Sequence, residues 1–243
     1  MKIISPKQFF DVHKNQKCFM IGAGPSLTYE MLDALDGRLS FSMNNIAIMF
    51  PNTKWRPYYY LNVTFTSSWS EHWIKHATQA CLEAKHSFFW HANLRIPLEA
   101  NPESTTILSS AAIPMWSYDA NEWVSRYGSS MFAALQLAVY VGCNPIYLVG
   151  CDMGYGGSIN QQTMEDTAHC HPDYLGEDKI TWFKEHGSEH TTKDEVRTLD
   201  SHKMACLYAN SVGVTIKTCS PGPTQKVYPY IPFEEALNEV LPA

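Results

Sequence analysis

Cys18-Phe19-Met20-Ile21-Gly22-Ala23-Gly24-Pro25-Ser26-Leu27 is an apolar run that ends abruptly in Gly-x-Gly-Pro-Ser. Behind it, Leu27, Met31 and Leu35 recur four residues apart. The pattern predicts a buried strand, a tight turn and an amphipathic helix. Two glycines let the backbone come close to a ligand because no Cβ intervenes, and Pro25 suits a first helical turn, where a missing N–H costs nothing. A helix starting there would aim unpaired amides and the positive end of its dipole at an anion such as phosphate. Gly22, Ala23, Gly24, Pro25 and Ser26 are therefore candidate nucleotide-binding residues. Leu27 stands where the dinucleotide fingerprint has its third glycine, so a plain structural turn is the competing reading.

Outward from this stretch, strand-like and helix-like segments alternate. Leu39–Met43 reads as a second strand ending at Asn44-Asn45, and Tyr58–Val63 as a third containing Asn62. A helix is expected over Ser70–Ala84, then a strand over His86–Trp90. Ala92–Tyr127, with prolines at 97, 102 and 114, reads as irregular, with a short strand near Ile113–Tyr118. Gly128-Ser129-Ser130 opens a helix rich in small residues that runs to Val141. The strand Ile146–Val149 follows and closes in Gly150-Cys151-Asp152. A helix from Lys193 to Ser211 and a strand at Val214–Lys217 restore the alternation, and Phe233–Leu241 makes a last short helix. A short leading helix is expected at Pro6–His13.

Alternation of this kind implies an α/β, Rossmann-like fold: a mostly parallel sheet with helices on both faces. Residues 1–243 are expected to form one nucleotide-binding domain, with the polar, glycine- and histidine-rich stretch 153–193 as a lid-like insertion. Ligands of such sheets sit beyond the carboxyl ends of the strands. Gly22–Ser26, Asn44, Asn45, Asn62 and Gly150–Tyr155 should therefore meet in one crevice. Asn44, Asn45 and Asn62 can donate and accept hydrogen bonds to a base, ribose or sugar, or merely shape turns. Ser129 and Ser130 can hold a phosphate oxygen or simply cap a helix. Asp152 can bind ribose or a metal, or pair locally.

Composition narrows the partners. A net charge of -6 gives no reason to expect nucleic acid. Seven cysteines without a repeated spacing argue against a disulfide framework. The first residues lack an apolar signal core, and no apolar run approaches the roughly 20 residues of a membrane span. A cytoplasmic location is the expectation, with peripheral association at the inner membrane surface and homo-oligomerisation left open. His169-Cys170-His171 invites zinc, but the ligands lie too close together and no second Cys-x-x-Cys exists; no metal site is expected. His72 and His76, four apart on a helix, read as a solvated face.

Gly22–Leu27, Met43-Asn44-Asn45, and the block from Ser129-Ser130 through Gly142 to Ile146–Asp152 together resemble the bacterial lipooligosaccharide sialyltransferases. The same skeleton is similar to motility accessory factors and archaeal 6-hydroxymethylpterin diphosphokinases. The resemblance runs from Cys18 to Pro221 and breaks in the middle. It implies a metal-independent, inverting glycosyl transfer from a CMP-activated, sialic-acid-like donor to a glycan or glycoconjugate acceptor, with no cofactor required. It places Asn44, Asn62 and Ser130 against the cytidine nucleotide and Tyr155 near the departing phosphate. His190 becomes the general base, with His186 a rival and His202 a further alternative. The family's asparagine within the glycine turn is Ala23 here, and its second lid tyrosine has no clear counterpart. The runner-up is pyrophosphate transfer from ATP with Mg²⁺ to a pterin, for which the strand ends offer asparagines where carboxylates are wanted. A nucleotide-binding module without chemistry is the third reading.

Overall fold

The computed structural model describes residues 4–63, 71–90, 104–153, 166–177 and 189–240, with backbone only for 189–195. Seven strands form one parallel sheet among these residues. In chain order they are β1 (Cys18–Ile21), β2 (Ser40–Met43), β3 (Tyr59–Asn62), β4 (His86–Trp90), β5 (Thr105–Leu108), β8 (Ile146–Val149) and β9 (Ile216–Thr218). Two short strands, β6 (Ser110–Ala111) and β7 (Val124–Ser125), pair separately. The order across the large sheet is β5-β4-β3-β2-β1-β8-β9. Strand order thus reverses between β1 and β8, whose registers pair Cys18 with Ile146 and Ile21 with Val149. That reversal opens a crevice at the carboxyl ends of both strands.

Period-two alternation in the strands divides the core in two. Cys18 and Met20 of β1 face one side with Phe41, Leu61, Phe88 and Leu148. Phe19 and Ile21 face the other with Tyr60, Phe89, Tyr147 and Val149. The first side is covered by α3 (Ser130–Tyr140) and α4 (Glu189–Ser211), which pack on each other. The second is covered by α1 (Tyr29–Ala34), α2 (Glu71–Glu83), α5 (Phe233–Asn238) and a 3₁₀ segment at Ile46–Asn52. The α/β sheet with helices on both faces is as the alternation predicts.

Several elements differ in detail. The leading helix is a 3₁₀ turn over Pro6–Phe9, because Phe10 is extended and Asp11 and Asn15 take positive φ. No strand forms over Ile113–Tyr118; β5 instead adds the edge of the sheet beside β4. α4 begins at Glu189, so His190 lies in its first turn rather than ahead of it. β9 lies two residues later at its start than the pattern predicts. His72 and His76 do not line a solvated face: His76 is buried, its ring 4.7 Å from that of His72. Burial pushes its pKa down to about 4. All seven cysteines are free thiols. No helix among the described residues is long and apolar enough to cross a membrane.

The helix after the glycine turn also starts later than expected. Gly24 to Leu27 closes as a turn, with the Leu27 N–H donating to the Gly24 carbonyl at 3.0 Å. α1 then begins at Tyr29, capped by Thr28, whose hydroxyl accepts from the Met31 N–H at 3.2 Å. Pro25 therefore occupies the turn and not a first helical position.

Candidate active site

A cavity lies over the β1/β8 reversal and encloses about 690 Å³ including its open mouth and the adjoining solvent. Gly22, Ala23 and Gly24 form one wall and Gly150, Cys151 and Asp152 the next, with Asn44, Ser129 and Ser130 opposite. Ala168, His169, Tyr174, Thr198 and His202 complete it. Three strand ends and the start of α3 thus converge as the topology requires. Residues 166–177 of the 153–193 insertion are packed into the domain: the Cys170 N–H donates to the Ala23 carbonyl at 2.8 Å, and Tyr174 and Leu175 are buried.

Three amides of the glycine turn are bonded within the protein. The Gly22 N–H donates to Val149 and the Gly24 N–H to Gly150, each at 2.8 Å. The Ser26 N–H donates to Asp152 Oδ2 at 2.9 Å. A carboxylate from the end of β8 therefore sits where the sequence suggested an external anion. It fits because Gly24 has no side chain: a Cβ there would lie 2.1 Å from Asp152 Oδ2. Asp152 Oδ1 is buried without a hydrogen-bond partner among the described residues, an acceptor that calls for a donor from a ligand. Pro25 and Ser26 do not line the cavity, although Ser26 positions the Asp152 that does.

The asparagines divide similarly. Asn44 lines the cavity with its backbone at φ 55°. Its carbonyl accepts from the Tyr60 hydroxyl at 2.8 Å, and that hydroxyl accepts from the Asn62 amide at 3.1 Å. Asn62 is fully buried and reaches the site through this relay. Ser130 donates to Asn44 Oδ1 at 3.4 Å. Ser129 is the N-cap of α3, its hydroxyl accepting from the Phe132 N–H. The N-terminus of α3, an 11-residue helix, consequently faces the cavity with its positive dipole end, and is the better seat for an anion than the glycine turn.

Two histidines of opposite character share the cavity. His202 is buried on α4, and its Nδ1 lies 3.0 Å from the Tyr228 hydroxyl. That hydroxyl has one proton and donates it to the His202 carbonyl at 3.0 Å. Both contacts are satisfied together when Nδ1 carries the ring proton, which leaves Nε2 as an acceptor. Burial pushes the His202 pKa down to about 4, so the ring is neutral near pH 7. His169 is paired instead with Asp166: Nδ1 stands 2.7 Å from Oδ2 and 3.0 Å from Oδ1.

A pH dependence follows from His202. Its folded pKa of about 4 lies below the ordinary 6.5, so between those values the unfolded chain binds a proton that the folded chain refuses. Its contribution is full above pH 6.5 and declines as pH falls toward 4, by about 3 kcal/mol in all. His76 adds in the same direction. His202→Asn, which keeps a donor for Tyr228, should flatten the fall of the urea midpoint over this window. An unchanged slope would show that His202 does not titrate on unfolding.

Tyr155 and His186 lie outside the described residues, as does the side chain of His190, whose backbone begins α4. Sequence reasoning did not single out Asp166, Tyr174 or Thr198. A signal existed for some: Asp166 and His169 are three apart, and Thr198 and His202 four apart on one helical face. Among the described residues no group of three or more histidine, cysteine or acidic side chains could hold a metal ion.

No protein-family model matches the chain, and no curated protein matches it. Among solved structures it is similar to the sialyltransferase CstII from Campylobacter jejuni, a structure in complex with the substrate analogue CMP-3FNeuAc. The TM-score is 0.51 and the sequence identity 11%, over 93% of this chain and 89% of that one. The likeness is near full length in both chains. It shows a shared fold, one that supports transferase chemistry in that enzyme.

Proposed function

We propose that this protein is a glycosyltransferase that moves a sialic-acid-like sugar from a CMP-activated donor to a glycan hydroxyl, with inversion and without a metal. The observation that carries this reading is the pairing of functions in one cavity at the β1/β8 reversal. A helix N-terminus suited to phosphate stands beside two acceptors suited to hydroxyls, the unpartnered Asp152 Oδ1 and the neutral His202. A nucleotide sugar offers both chemistries. The near-full-length likeness to a sialyltransferase supports the same choice.

In this scheme Ser129, Ser130 and Asn44 hold the nucleotide, and the backbone of Gly22, Ala23 and Gly24 lets it approach the sheet. Asn62 supports Asn44 through Tyr60. The acceptor hydroxyl attacks the anomeric carbon and the bond from that carbon to the phosphate oxygen breaks. The electron pair leaves with CMP, near Tyr155, while the hydroxyl proton passes to His190. Neither the attack nor the departure needs a cation to activate it once the phosphate is held. Sugar transfer in the presence of EDTA is the expected result, and ATP turnover that requires Mg²⁺ and a pterin is the competing one.

A further inference from the structure

We propose that His169, held by Asp166, is the side chain that seats the phosphate of the bound ligand. The inference rests on the reading above that the ligand carries a phosphate; it names the residue that binds it.

The cavity poses an electrostatic problem. Asp152 places a carboxylate in it, and the Gly22, Gly24 and Ser26 amides, which might have offset an incoming anion, are already bonded to Val149, Gly150 and Asp152. The described lining residues include no lysine or arginine. Their side chains able to carry positive charge are His169 and His202 alone. His202 does not suit this role, because it is buried, its Nδ1 proton faces Tyr228, and burial holds its pKa at about 4. Its Nε2 can receive a hydrogen bond but offers none, and a phosphate oxygen needs a donor.

His169 is built the other way. The Asp166 side chain is fully buried, and a buried carboxylate requires a counter-charge or donors for its oxygens. Oδ1 accepts from the Ala168 N–H at 3.0 Å, and both oxygens face His169 Nδ1. The remaining ring nitrogen, Nε2, is the atom left to meet a phosphate oxygen, on a ring that lines the cavity. The ring is also fixed in orientation. It stacks on Tyr174 with centroids 4.2 Å apart and planes 12° from parallel. The Tyr174 carbonyl in turn accepts from the buried Asn45 amide at 3.0 Å. The Cys170 N–H ties the same segment to the Ala23 carbonyl, which sets His169 beside the glycine turn. The two histidines thereby take complementary parts, one a donor to phosphate and the other an acceptor of a ligand's hydrogen bond.

The test compares a nucleoside with its monophosphate. Calorimetric titration of cytidine and CMP gives a ratio of dissociation constants that reports what the phosphate adds to affinity. His169→Ala is expected to shrink that ratio by about 10- to 100-fold, the loss of one charge-assisted hydrogen bond, while cytidine binds as before. His169→Gln, which keeps a neutral donor, should fall between, and Asp166→Asn should also shrink the ratio. Should His169→Ala fail to fold, the other two variants carry the comparison. A ratio unchanged in all folded variants, or an equal loss for both ligands, would overturn the assignment. If wild-type protein ignores cytidine and CMP but binds another nucleoside and its monophosphate, the cytidine reading fails and that pair tests His169 in the same way. If no such pair binds, both readings fall.

Discussion

His190→Ala is expected to slow sugar transfer by about 10²–10⁴-fold, the usual contribution of a positioned general base. Its dissociation constant for CMP should stay close to that of wild type. A sugar hydroxyl is a poor nucleophile near neutral pH and must lose its proton as it attacks. His190 lies in the first turn of α4, the helix that also brings Thr198 and His202 into the cavity wall. The base meets the acceptor and not the nucleotide, so chemistry should suffer while nucleotide binding survives. Transfer rates and CMP affinity, measured on His190→Ala, His186→Ala and His202→Ala separately, check this. Full activity in His190→Ala, or a parallel loss of CMP binding, would move the role elsewhere. His202 is the less suitable base, since burial holds its pKa at about 4 and an imidazolium there would be costly to form.

Gly22→Ala should be the most damaging of the small substitutions in the turn. A Cβ at Gly22 would lie 2.3 Å from the Gly150 carbonyl oxygen and 3.0 Å from Cys151 Sγ. The carbonyl belongs to the backbone leaving β8, next to the strand pairing with β1, and cannot swing aside as a side-chain tip can. Overpacking of this kind costs about 1–3 kcal/mol, and the rigid neighbour argues for the upper end. The thermal midpoint should fall by roughly 5–10 °C for a chain of this size. Gly37→Ala is the informative comparison: it has positive φ, 71°, but nothing within 4 Å of the added Cβ. It should cost about 1 kcal/mol through backbone strain alone. Equal losses in the two variants would mean that the close approach of β1 and β8 is not what the glycine serves.

The sequence is most legible where local pattern and topology agree. β1, β3, β4, β8 and α3 are visible as apolar runs or a capped small-residue helix, and a sheet built from them must gather their carboxyl ends. Hence Gly22, Asn44, Ser129, Ser130 and Asp152 all belong to one cavity. What local pattern does not carry is the partner each group takes. Asp152 reaches back 126 residues to the Ser26 amide and fills the turn that reads as a phosphate seat. Asn62 ends a strand as Asn44 follows one, yet it is turned into the core and bonded to Tyr60. β5 is short and follows a proline-broken stretch, so only pairing with β4 reveals it as a strand. The histidines of the 153–193 stretch look alike in the sequence; the Asp166 contact and the Tyr174 stack are what distinguish His169.

Everything proposed for the cavity depends on whether a CMP-activated sugar is turned over there, and donor turnover can be followed by phosphorus NMR. Wild-type protein would be incubated with CMP-N-acetylneuraminic acid and a panel of galactoside acceptors in excess EDTA. The CMP resonance should grow at the expense of the donor, at the same rate when Mg²⁺ replaces EDTA, with an inverted anomeric centre in the product. Donor left intact in both conditions, while ATP, Mg²⁺ and hydroxymethylpterin yield AMP, would contradict the glycosyltransferase reading.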